Sequence, residues 1–145
     1  MRILLSVSIF LLFLAFPPAS YRLTVTVSGI SPVKGDLYLA LHNRPQYFNV
    51  PDSAFMKAVI KIDAASETYN FDNVPAGKYA LAVYQDENLN GKLDANELGM
   101  PKEGYALSGK SGPGRPKFDE SAFNLSGDQT MNLTMIYRNA QQQKK

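Results

Sequence analysis

Twelve residues from Asp86 to Glu97, Asp-Glu-Asn-Leu-Asn-Gly-Lys-Leu-Asp-Ala-Asn-Glu, concentrate side-chain oxygens at regular intervals. Asp86, Asn88, Asn90, Lys92, Asp94 and Glu97 stand at positions one, three, five, seven, nine and twelve, with Gly91 at position six. That is the spacing of a calcium-binding loop. Calcium is a hard cation that takes six to eight oxygens at about 2.3–2.6 Å, so ligands two residues apart on a coiling backbone can share one centre. Lys92 would offer its carbonyl and turn its charge away, Asp94 would bind directly or through water, and Glu97 would close the cage with both oxygens. The competing reading is a solvated turn, because Asn90-Gly91 is also a strong hairpin signal. A hairpin alone has no need of Asp86, Asn88, Asp94 and Glu97 together.

No other group of residues makes a comparable case. His42 is the only histidine, it sits beside Asn43 and Arg44 at the end of an expected strand, and a rim position is predicted for it. A Ser–His–acid triad would require that residue, and no serine is singled out as its partner. Asp119 and Glu120 are adjacent, and adjacent residues on a strand face opposite ways, so a solvated loop is the better expectation. The chain is therefore expected not to be an enzyme. The alternative is an extracytoplasmic hydrolase-like enzyme whose site the residues do not reveal.

The elements that must position the loop read as short strands. Leu23, Val25 and Val27 alternate with polar residues, as do Leu37, Leu39 and Leu41, and then Ala58, Ile60 and Ile62. This period of two marks half-buried strands. Residues 43–52 hold Pro45 and Pro51 and read as loop, with one helical turn possible over 53–56. A short strand is expected over 68–71. Lys78 to Gln85 is apolar on both faces, which predicts a central strand directly before the loop. An amphipathic helix is not expected there, so the ion would be a structural staple and not a sensor. Met131, Leu133, Met135 and Tyr137 form the last alternating run. Between them, residues 99–117 are rich in Pro and Gly and read as one long irregular loop. Lys102, Lys110, Arg115 and Lys117 together with Met100, Tyr105, Leu107 and Phe118 suit that loop either to a partner or to covering the domain, and the cover is preferred.

Composition sets the surroundings. The chain has 145 residues and no cysteine, so neither a disulfide nor a thiolate metal site is available to it. Met1-Arg2 precedes the apolar stretch Ile3 to Phe16, which Pro17-Pro18-Ala19-Ser20 ends. This predicts a signal peptide over 1–20, a β-domain over 21–139 and a disordered tail over 140–145. An uncleaved anchor is the alternative, although the stretch is short of the roughly 20 residues a membrane span needs. Loss of Arg2 with the leader takes the 15 Lys and Arg down to 14 against 13 Asp and Glu, a net charge of +1. A near-neutral surface offers no steering toward nucleic acid. A secreted or periplasmic monomer is expected, with no stable membrane insertion after cleavage and a protein or glycan partner at the cell envelope.

Three stretches carry a resemblance. Phe71-Asp72-Asn73-Val74-Pro75-Ala76-Gly77-Lys78-Tyr79-Ala80, then Tyr84 to Asp94, then Gly99-Met100-Pro101-Lys102-Glu103-Gly104-Tyr105 resemble the exported bacterial proteins catalogued as domain of unknown function 2141. The similarity runs from Leu23 to Tyr137, and it departs from the family's pattern at Ala106-Leu107-Ser108-Gly109. The segment Pro75-Ala76-Gly77-Lys78-Tyr79 also resembles transthyretin-like and collagen-adhesin B-type domains. These resemblances imply an all-β fold, an immunoglobulin-like antiparallel β-sandwich of about seven strands, exported from the cell. They imply no reaction.

Overall fold

Alternation of apolar and polar residues decides which face of each strand is buried. In the computed structural model, which describes residues 19–48, 50–109 and 116–138, strand β1 (Ser20–Ser28) buries Leu23, Val25 and Val27 completely. It pairs antiparallel with β4 (Ser66–Pro75), setting Val25 opposite Tyr69. Its other edge pairs in parallel with β8 (Gln129–Thr134), setting Val25 opposite Met131. These three strands form one sheet in the order β4-β1-β8.

The second sheet is built on β5 (Gly77–Asp86), the run with two apolar faces. One edge of β5 pairs antiparallel with β2 (Asp36–His42), which in turn pairs with β3 (Met56–Lys61). The opposite edge is shared. β7 (Ala122–Leu125) takes Gly77 to Ala80, and β6 (Tyr105–Leu107) takes Ala82 to Tyr84. Leu81 falls at the changeover, where an unpaired backbone would be buried and costly. Ser108 closes the gap. Its backbone N–H donates to the Leu81 carbonyl at 2.9 Å, and its hydroxyl accepts the Leu81 N–H at 2.7 Å and donates to the Ser121 carbonyl at 2.6 Å.

The two sheets face each other across one core, to which Leu23, Val25 and Phe71 contribute from the first sheet and Leu39, Leu81 and Val83 from the second. The arrangement is sandwich-like. The outer face of the second sheet has a smaller apolar cluster, in which Phe48 and Phe118 pack with Ala80 of β5 and Leu107 of β6. Phe118 belongs to the one-turn helix α1 (Phe118–Ser121). Leu107 of the 99–117 stretch is part of the sheet itself, and Phe118, one residue beyond the stretch, packs on its outer face.

The structure corrects the expectation in several places. Eight strands are present among the described residues, and the β1–β8 pair is parallel, so the sandwich is not wholly antiparallel. Alternation sets which face is buried but carries no signal for a strand's direction or neighbour. Residues 99–117 are not irregular throughout, because Tyr105–Leu107 completes the ladder of β5. The short strand expected over 68–71 is the ten-residue β4, and Asp119 and Glu120 lie in α1 instead of on a strand. Residues 1–18 of the expected leader, residues 140–145 of the expected tail, and Lys110 and Arg115 lie outside the described residues, while Ser20 opens β1 opposite Pro75.

A polar knot holds the sheets in register at one end. The fully buried Gln85 side chain donates from Nε2 to the carbonyls of Pro32 (2.8 Å) and Lys34 (2.9 Å), and its Oε1 accepts the Tyr137 hydroxyl at 2.6 Å. Tyr137 also accepts the Ser31 N–H at 2.8 Å. The Tyr137 ring needs Gly104 beneath it, since a methyl group there would overlap the ring. Replacing Gln85→Leu leaves buried groups without partners, each costing about 1–3 kcal/mol. The expected outcome is a lower denaturant midpoint at unchanged slope, read by equilibrium unfolding.

Candidate metal centre

Strand β5 ends on Asp86, whose side chain is fully buried. Its carboxylate accepts the backbone N–H of Asn90 at 3.1 Å and of Gly91 at 2.6 Å, which curls the following residues back over it. Two short side-chain turns tighten the coil. Asn88 Oδ1 accepts the Asn90 N–H at 3.1 Å, and Asn90 Oδ1 accepts the Lys92 N–H at 2.9 Å. Such bonds two residues along the chain are what Asn and Asp favour in turns. The coil also needs left-handed backbone, supplied by Gly91 at φ 77° and by Leu89 at φ 61°. Gly91 adopts this without a side-chain penalty.

Asp94 comes back into the coil. Its two carboxylate oxygens accept the side-chain amides of Asn88 (2.7 Å) and Asn90 (3.1 Å). The amide of Asn90 first, then that of Asn88, with Lys102 and Lys92 nearby, holds the Asp94 carboxyl below its ordinary range. Four expected ligands, Asp86, Asn88, Asn90 and Asp94, are therefore tied together by hydrogen bonds.

The remaining two are placed differently. The Lys92 side chain is exposed. Beyond Asp94 the chain forms a small hairpin, with Ala95 bridged to Pro101 and Asn96 Oδ1 accepting the N–H groups of Leu98 (3.0 Å) and Met100 (2.9 Å). Glu97 stands exposed on this hairpin and makes no hydrogen bond or ion pair among the described residues. No three His, Cys, Asp or Glu side chains among the described residues gather as a metal-holding group.

One residue that sequence spacing did not single out secures the loop. Glu103 is buried, and its two oxygens accept the N–H groups of Glu87 and Asp94, each at 2.9 Å. It clamps the entry of the coil to its exit. It lies nine residues past Asp94, outside the twelve-residue pattern, and the Glu103-Gly104-Tyr105 resemblance was the sole pointer to it. On the other flank the Tyr84 hydroxyl donates to the Gly91 carbonyl at 3.3 Å, while Tyr38 stacks on Tyr84 with ring centres 4.7 Å apart. Burial above all, with Tyr38 and then Asp86 close by, pushes the Tyr84 phenol up to about 12.

His42 is not at a rim. It is 1% exposed on the covered outer face, edge-on to Phe48 with ring centres 5.5 Å apart, and neither ring nitrogen has a hydrogen-bond partner among the described residues. The end of β2 reads as exposed in the sequence because Phe48, six residues later, is what folds over it. Burial pushes the His42 pKa down.

These features define a small β-rich, sandwich-like domain with a side-chain-wound loop at the end of its central strand. The chain belongs to the family described as uncharacterized protein conserved in bacteria (DUF2141), which matches residues 25–133, from the middle of β1 into β8. No curated protein and no solved structure matches it.

Two outcomes are expected. Glu103→Gln leaves one of the two clamped N–H groups facing an amide N–H₂, costing about 1–3 kcal/mol, and hydrogen exchange at Glu87 and Asp94 accelerates. His42, neutral and buried, takes a proton less readily folded than unfolded, so the unfolded chain binds more protons in mild acid. Stability is expected to be full above pH 6.5, the ordinary histidine value, and to fall as pH drops from there toward the lowered folded value. Thermal melts of His42→Leu over the same range should lose that slope.

Proposed function

We propose that this is a non-catalytic module exported to the periplasm or secreted, with a structural calcium ion in the Asp86–Glu97 loop and a protein or glycan partner at the cell envelope. The observation that carries the calcium reading is the convergence of Asn88, Asn90 and Asp94 by direct side-chain bonds above the buried Asp86 carboxylate. The donor set is all oxygen and bears two carboxylates, which suits a hard divalent cation. Asn88 and Asn90 now present N–H₂ groups to Asp94, so binding asks each carboxamide to turn an oxygen inward. Glu97 completes the set only if the 95–101 hairpin shifts toward the coil. The ion would supply positive charge beside Asp86 and a fixed point for the loop.

Export rests on the basic start and the apolar stretch Ile3 to Phe16. The immunoglobulin-like, transthyretin-like reading comes from the resemblance of Pro75-Ala76-Gly77-Lys78-Tyr79, and the two facing sheets are compatible with it. In a cysteine-free domain a bound ion is a useful staple.

Calcium in excess over a site of the weak extracellular kind stabilises by about 1–3 kcal/mol, the value for about ten to a hundred times the dissociation constant. The expected outcome is a higher melting temperature in millimolar calcium than in chelator, and no such difference in Asp94→Ala. An equal melting temperature in both solutions for the parent protein would sink the site.

A further inference from the structure

The segment after β2 presents a second set of side chains that neither the core nor the metal loop uses. Two proline-initiated turns of 3₁₀ helix, Pro45–Tyr47 and Pro51–Ser53, fold it. It is anchored from below, where the buried Phe48 packs on His42 and on Phe118, with ring centres 5.5 and 5.9 Å away. At its far end the Phe55 N–H donates to the Leu41 carbonyl at 2.8 Å, and the Phe55 ring lies 5.7 Å from that of Tyr79. The segment is thus held in place by buried aromatics and by fixed proline backbone, so ordering it for a ligand carries little entropic cost.

What it turns outward has no partner within the described structure. Asn43, Arg44, Tyr47, Ser53, Ala54 and Phe55 line an open depression of about 480 Å³. Tyr47 and Phe55, both in its lining, are each 41% exposed. The side chains of Asn43, Arg44 and Ser53 make no hydrogen bond or ion pair among the described residues. The neighbouring Lys57 already has a carboxylate, Asp52, at 3.5 Å, so Arg44 is the cation left over.

We propose that this depression binds an acidic saccharide. The apolar C–H face of a sugar ring suits an exposed Tyr47 ring, which is apolar across its face and polar at its tip. Asn43 and Ser53 supply the donors and acceptors that sugar hydroxyls need. The planar guanidinium of Arg44 matches a carboxylate with two parallel N–H groups. A neutral sugar would leave the Arg44 charge without a counter-ion, and a purely apolar partner would leave all three polar side chains unpaired. This inference rests on the partner-binding part of the proposed function and makes its glycan arm specific. It is independent of the calcium.

The test is calorimetric titration of the full-length protein with trigalacturonate, sialyllactose and a heparin hexasaccharide, each beside its neutral counterpart (for trigalacturonate, the methyl ester). All titrations are repeated in chelator, so that a saccharide carboxylate on loop-bound calcium is separated from one on Arg44. At least one acidic probe is expected to bind in chelator. Arg44→Gln should weaken it at least tenfold while leaving the neutral counterpart unchanged, and Tyr47→Ala should weaken both. Unchanged melting temperatures for both variants establish that they fold. Absence of binding by all three acidic probes overturns the site, as does binding that neither substitution alters. If an envelope protein is captured through Arg44 and Tyr47 while no saccharide binds, the saccharide is overturned and the partner-binding reading survives.

Discussion

A strand buried on both faces and paired on both edges leaves its polar atoms no access to water. β5 is such a strand, and the rest of the molecule is arranged around that constraint. Its inner face calls for the three-stranded sheet and its outer face for Phe48 and Phe118. One edge is satisfied by β2 and the other by β7 and β6 in turn, with Ser108 filling the junction at Leu81. Where the strand runs out, Gln85 and Asp86 are both fully buried and polar, so each must gather partners. Gln85 draws in Pro32, Lys34 and Tyr137, and Asp86 draws in the backbone of Asn90 and Gly91.

The loop that follows β5 is thus a continuation of the core by polar means. Two buried carboxylates, Asp86 and Glu103, act as acceptors for four backbone N–H groups of the loop that have no strand partner. Charged acceptors make stronger hydrogen bonds than neutral ones, and burial makes an unpaired N–H expensive. A coil can therefore be fixed here without helix or sheet. The Lys34–Glu87 ion pair at 3.2 Å adds a tie from the loop to the 31–35 turn, although such a partly exposed pair contributes modestly.

Much of this was legible in the sequence, and the failures share a cause. The alternation in β1, β2 and β3, the two apolar faces of 78–85, and the coil from Asp86 to Asp94 all depend on residues within a few positions of one another. Such elements are legible because local spacing encodes face and turn. The parallel partner of β1 lies about a hundred residues away, Glu103 comes from beyond the loop, and Phe48 covers His42 from a separate turn. No local pattern specifies such meetings. The twelve-residue template was local too, yet its last position, Glu97, stands exposed on a hairpin that the Asn96 side chain organises and the template does not contain.

The parallel pairing of β1 with β8 has a mechanical meaning. The first and last strands lie side by side over six residue pairs, from Leu23 with Gln129 to Ser28 with Thr134. A pull applied to the two ends of the chain would slide these strands along each other, loading their hydrogen bonds together instead of peeling them one at a time. Load along that direction would thus fall on all six residue pairs at once, as shear.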